Sequence, residues 1–114
     1  MTAGGSVSIG ELAASAHNRA GVIWTLEAGI ELNANLVRFG MGGGVGEHVN
    51  DEVEVIIVGI AGSGFVRVDG EEHPVSNGTL TFVPRGVRRS TRSLSEDFAY
   101  LTVHRRRGPL QVGR

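Results

Sequence analysis

The chain has 114 residues, a formal net charge of −1, 18 glycines and no cysteine. That is the length of one ordinary domain, and the lack of cysteine excludes disulfides, thiolate nucleophiles, zinc–thiolate sites and iron–sulfur clusters. All 11 basic residues are arginine, which excludes Schiff-base lysines, lysine general bases and the P-loop lysine.

In chain order, the first residues, Met1 to Gly5, carry neither a positive n-region nor an apolar h-region, so the expectation is a cytoplasmic chain. Ser8 and Glu11 have the spacing of a capping box. With Leu12, Ala13, Ala14 and Ala16 they predict a short helix over 9–16. After it the chain reads as short strands punctuated by turn residues. Val22–Leu26 and Leu32–Phe39 predict a hairpin. Val53–Ile60 is rich in β-branched residues, and Phe65–Val68 leads through Asp69-Gly70 into a strand around His73–Val75. Asn77-Gly78 turns the chain into Thr79–Val83, which Pro84-Arg85-Gly86 ends. Ser90–Arg92 and Phe98–His104 complete the set. Strands at roughly 8–12-residue intervals predict an all-β sandwich or barrel. No stretch approaches the ~20 apolar residues of a transmembrane helix.

The glycine run from Gly40 to Gly46 fits neither nucleotide-binding pattern and reads as a loop or bulge. Charge is split along the chain. Residues 1–72 hold 3 arginines against 10 acids, and residues 73–114 hold 8 against 2. In an all-β fold with long-range pairing, that split predicts halves that interleave. Seven arginines stand between Arg85 and Arg107. The net charge, the four Phe, one Tyr and one Trp, and the lack of a binding motif weigh against a nucleic-acid partner. Neither nucleic acid nor membrane is expected as a partner.

Two blocks carry a resemblance. The first reads Gly42-x5-His48-x-Asn50-x3-Glu54 followed by Gly62, and the second Gly78-x5-Pro84-x-Gly86-x2-Arg89-x3-Ser93. They resemble the paired motifs of the cupin superfamily over roughly residues 36–104. The resemblance implies a cupin jelly-roll β-barrel with a short N-terminal helix. Residues 1–20 would be an N-terminal extension, 21–107 the barrel, and 108–114 a tail or edge strand. It also implies a homodimer, for which Val22–Leu26 is the candidate segment for exchange or sheet extension between subunits.

Cupin metal sites use three histidines and one glutamate. Here His48 and Glu54 match, but Asn50 stands at the second histidine, Arg89 at the third, and Ser93 at the asparagine. A guanidinium has no lone pair to give and stays protonated, so the expectation is a chain without a cofactor. His48, Asn50, Glu52 and Glu54 share strand parity with Ile56 and Val58. On a regular strand they would form one cavity wall, polar at the mouth and apolar below. An Arg89 turned inward would pair with Glu54 as a structural ion pair, or stay partly free and bind an anion. The pocket set is therefore His48, Asn50, Glu52, Glu54 and Arg89. The spacing from Glu54 to Gly62 is one residue longer than the family pattern, which admits a bulge that changes the facing of Glu52 or Glu54.

Three functions remain open. The first is metal-independent binding of a small, anionic molecule in the barrel. The second is a metal-free isomerase, cyclase or lyase using His48 or Glu54 as base and Arg89 to stabilise an oxyanion. The third is a metal-dependent dioxygenase or isomerase with the non-standard ligands His48, Glu54, Glu52 and His104.

Overall fold

The computed structural model describes residues 4–107. One helix, α1 (Ile9–Ala14), precedes nine strands. They are β1 (Gly21–Thr25), β2 (Leu32–Phe39), β3 (His48–Val49), β4 (Val55–Ala61), β5 (Ser63–Val68), β6 (Glu71–Ser76), β7 (Leu80–Val83), β8 (Arg88–Ser93) and β9 (Phe98–Arg105). They form two antiparallel sheets, ordered β1-β2-β9-β4-β7 and β3-β8-β5-β6. This is the all-β architecture that the strand spacing predicts, in the jelly-roll form that the resemblance implies. The segment 108–114 lies outside the described residues.

The interleaving expected from the charge split is present. Strands of the acidic half pair directly with strands of the basic half: β2 and β4 with β9, β4 with β7, and β5 with β8. Their contact is through the backbone ladder. The ion pairs among the described residues, Arg67–Glu72 and His73–Glu71, both lie within the β5–β6 hairpin.

Alternation along the strands divides the apolar residues between two cores. Between the sheets lie Val37, Ile57, Val66, Val75, Val83, Phe98 and Tyr100, with the Phe98 and Tyr100 rings 5.2 Å apart. On the outer face of the five-stranded sheet, Leu36 and Ala99 pack under Ala13 of α1, with Ile9, Leu12, Ile23, Trp24 and Leu101 around them. The helix is thus held by its apolar face. The capping box is not made: Ser8 forms no side-chain cap bond, and the helix is shorter than the expected 9–16. A helix of six residues gains little from a cap compared with burying its stripe.

The glycine run is a loop, and its position on β8 explains one of its members. A Cβ on Gly44 would lie 1.9 Å from the Thr91 carbonyl oxygen. Only glycine lets the loop press onto β8 there. The contact holds Thr91 N–H on the Val45 carbonyl at 3.0 Å and Val45 N–H on Thr91 Oγ1 at 3.1 Å. Gly44→Ala is expected to cost about 1–3 kcal/mol, read as a lower urea midpoint at unchanged m value. Gly46→Ala, where a Cβ meets nothing within 4 Å, is the near-neutral control.

Candidate functional site

The barrel is filled at one end and hollow at the other. Phe98 fills the closed end, packed so tightly on Gly64 that a Cβ there would meet the ring at 2.6 Å. The open end holds a cavity of about 220 Å³. Val37, Val55, Ile57 and Val83 give it apolar walls, and Asn35, Thr91, Tyr100 and Thr102 add polar atoms. His48, Asn50, Arg89, His104 and Arg107 also line it.

Three of the five expected pocket residues, His48, Asn50 and Arg89, therefore meet in one place, joined by His104 of the alternative metal set, and two do not. Glu52 and Glu54 are exposed and line a separate surface depression with Val53, Arg85 and Arg105. This corrects their expected place on the cavity wall. The cause is Asn50. Its side-chain Oδ1 accepts the N–H of Glu52 at 2.9 Å and of Val53 at 3.3 Å, closing a turn on its own backbone. Residues 50–54 are consequently not strand, and β4 starts only at Val55. Inward facing passes from even to odd positions. Val55 and Ile57 become the apolar wall, and Ile56, expected there with Val58, is 37% exposed on the outside.

Arg89 points inward and is 6% exposed. Its Nε donates to the Val87 carbonyl at 2.9 Å and its Nη2 to the Pro84 carbonyl at 2.6 Å. Pro84-Arg85-Gly86, which ends β7, thus supplies a backbone acceptor for the charge. No carboxylate is its partner among the described residues, and the expected Arg89–Glu54 pair is not made. Burial is the main influence lowering the guanidinium pKa from its usual value. The like charge of Arg107 adds to this, and Asp51 opposes it. The group stays charged at neutral pH.

The two imidazoles are oriented by main-chain carbonyls. His48 Nδ1 donates to Gly46 O at 2.8 Å, and His104 Nδ1 donates to Arg105 O at 2.7 Å. A carbonyl can only accept, so Nδ1 carries the hydrogen in each and Nε2 is the nitrogen left to a ligand. His104 reaches the cavity because β9 alternates regularly, with Tyr100, Thr102 and His104 facing in. Their shared parity on one strand puts all three on the same face. Thr91, two residues from Arg89 on β8, carried the same signal and was not singled out. Ser93 is buried, its hydroxyl donating to the Ser95 carbonyl at 2.6 Å.

The donor set does not fit a resident metal ion. Two imidazoles share the cavity with a buried, permanently charged guanidinium, while the carboxylates of Glu52 and Glu54 line the separate depression. Among the described residues no group of three or more histidine, aspartate or glutamate side chains is placed to hold a cation. No helix among them is long and apolar enough to cross a membrane.

Comparison with known proteins agrees with this architecture. No match to a curated protein sequence was found. KdgF from a Halomonas species superposes with a TM-score of 0.69 at 20% identity, over 75% of this chain and 77% of that one. A Bacillus halodurans protein superposes with a TM-score of 0.78 at 16% identity, over 95% and 86%. An RmlC-like cupin from Desulfovibrio desulfuricans gives 0.63 at 20% identity, over 71% and 77%. At these identities the likeness is one of fold. A family model described as a cupin domain matches residues 35–104, and across that span, which begins within β2 and ends within β9, the chain belongs to the cupin family.

Proposed function

We propose that this cupin works without a metal and binds a small anionic molecule in its barrel, with Arg89 holding the anion. The observation that supports this most is the incomplete pairing of a buried charge. A guanidinium has five N–H groups. Two are used on the Val87 and Pro84 carbonyls, leaving three without a partner among the described residues. Burying a charge costs several kcal/mol unless it is compensated. Neutral carbonyls compensate in part, and a carboxylate would complete the set in bidentate fashion. The apolar walls suit the body of such a ligand.

The direct test is calorimetric titration with hexanoate, a short carboxylate. Arg89→Met is expected to weaken binding by about 10- to 100-fold, the range for a hydrogen bond to a charged group. Glu54→Gln, outside the cavity, is expected to bind as the parent does. An Arg89→Met protein that keeps its melting temperature and its affinity overturns the proposal. Metal independence is read by elemental analysis after dialysis against chelator, and retained stoichiometric transition metal refutes it.

One observation favours a second, catalytic reading. His48 Nε2 has no partner among the described residues and shares the cavity with Arg89, the arrangement of a general base beside an oxyanion-stabilising group. Glu54 has no place in that reading, since it lies outside the cavity. Solvent-deuterium incorporation into an added oxo acid, lost in His48→Gln, separates catalysis from simple binding.

The homodimer belongs to the same proposal. β1 pairs with β2 of its own chain, which argues against exchange of Val22–Leu26. Its other edge pairs with no strand among the described residues and is the candidate for sheet extension. Light scattering is expected to give twice the chain mass, and a monomer mass refutes the dimer.

A further inference from the structure

Tyr100 and Thr91 meet across the cavity wall, Oη to Oγ1 at 3.0 Å. Their hydrogens can be counted. Each hydroxyl has one hydrogen to donate and two lone pairs to accept with. Thr91 Oγ1 already accepts the Val45 N–H at 3.1 Å. One hydrogen of the pair is used in their mutual bond, whichever residue donates it. The other hydrogen has no partner among the described residues. If Tyr100 donates, both Thr91 lone pairs are filled and the Thr91 hydrogen is free. If Thr91 donates, the Tyr100 hydrogen is free. Both residues line the cavity, and Tyr100 is only 2% exposed. Burial raises the Tyr100 pKa, outweighing the opposite influence of Thr91, so the phenol stays a donor.

We infer that this pair holds a second subsite, which reads a neutral acceptor oxygen on the same ligand whose carboxylate sits at Arg89. The inference rests on the proposed anion site. Thr91 and Arg89 lie on one face of β8, two residues apart, roughly 7 Å by strand rise. The guanidinium bends further away, toward Pro84 and Val87. Val55, Ile57 and Val83 supply the apolar lining. The ligand class is therefore a short oxo acid: charged at one end, apolar in the middle, with a carbonyl oxygen at the other end.

The exchangeable pair makes an unusual demand on variants. Tyr100→Phe leaves the Thr91 hydroxyl with its hydrogen released to the cavity. Thr91→Val leaves the Tyr100 hydroxyl released, and the Val45 N–H, on an exposed residue, turns to water. Either hydroxyl alone suffices, and only the double variant lacks a donor at this position of the wall.

The experiment titrates parent, both single variants and the double variant with 5-oxohexanoate and with hexanoate. The parent is expected to prefer the oxo acid by about five- to tenfold, as one neutral hydrogen bond gives. The preference persists in both single variants and disappears in the double. The preference is a ratio, read in each variant against that variant's own hexanoate affinity, and a cooperative melting transition shows that each variant is folded. A preference near one in the parent, with hexanoate binding still dependent on Arg89, overturns this inference and leaves the anion site standing. Loss of the preference in either single variant, or its survival in the double, also overturns it. Failure of both acids to bind at millimolar concentration overturns the anion site and this inference together.

Discussion

The acceptance of two backbone N–H groups by the Asn50 side chain decides what this barrel contains. In a strand, facing alternates residue by residue, and a local irregularity exchanges inside for outside in everything that follows. Asn50 places such an irregularity immediately before β4, whose wall separates cavity from exterior. Without it, Glu54 would face inward toward Arg89 and Ile56 would follow it. With it, the inner wall is Val55 and Ile57, and the acids face outward. One amide thus keeps the family-type carboxylate out of the cavity, and among the described residues the guanidinium forms no ion pair.

The division of the barrel into filled and hollow ends follows from side-chain volume on β9. Phe98 is large, fully buried and packed over Gly64, so it fills the space between the sheets there. Tyr100 packs against it and presents its hydroxyl to the hollow end. Beyond it, Thr102 and His104 are smaller or polar and leave room. The Gly44 loop fixes the opposite wall, because its approach to β8 holds Thr91 between Val45 and Tyr100. The cavity therefore lies between two well-packed regions, which favours a site formed before ligand arrives.

The fold was legible in the sequence where its signals are backbone signals. Asp69-Gly70 forms a turn with φ of 50° and 86°, as a two-residue hairpin requires. The even positions of β9 face in, as their parity demands. The site was legible in part. His48, Asn50, Arg89 and His104 share the cavity, but two decisions could not be read from spacing. Asn50 could aim its amide into the barrel or bond its own backbone, and the longer distance to Gly62 allowed a bulge without locating it. Arg89 could reach across toward Glu54 or turn back on its own chain. Its Nε found the Val87 carbonyl two residues away, a local bond that strand pattern does not encode. The unused capping box at Ser8 is a similar case, in which burial under α1 outweighed a local hydrogen bond.

The choice of arginine at position 89 has a consequence for how the site responds to its surroundings. A histidine there would change charge within the physiological range and would compete between proton, metal and ligand. A guanidinium does none of these. Burial and the neighbouring Arg107 lower its pKa, but from a starting value so high that the charge persists at any pH the protein meets. Its orientation is set by main-chain carbonyls, which do not titrate. Arg89 should accordingly hold an anion with a constant charge and a constant pose. The pH dependence contributed by this contact would come from the ligand's own acid group, and binding would weaken as that group is protonated.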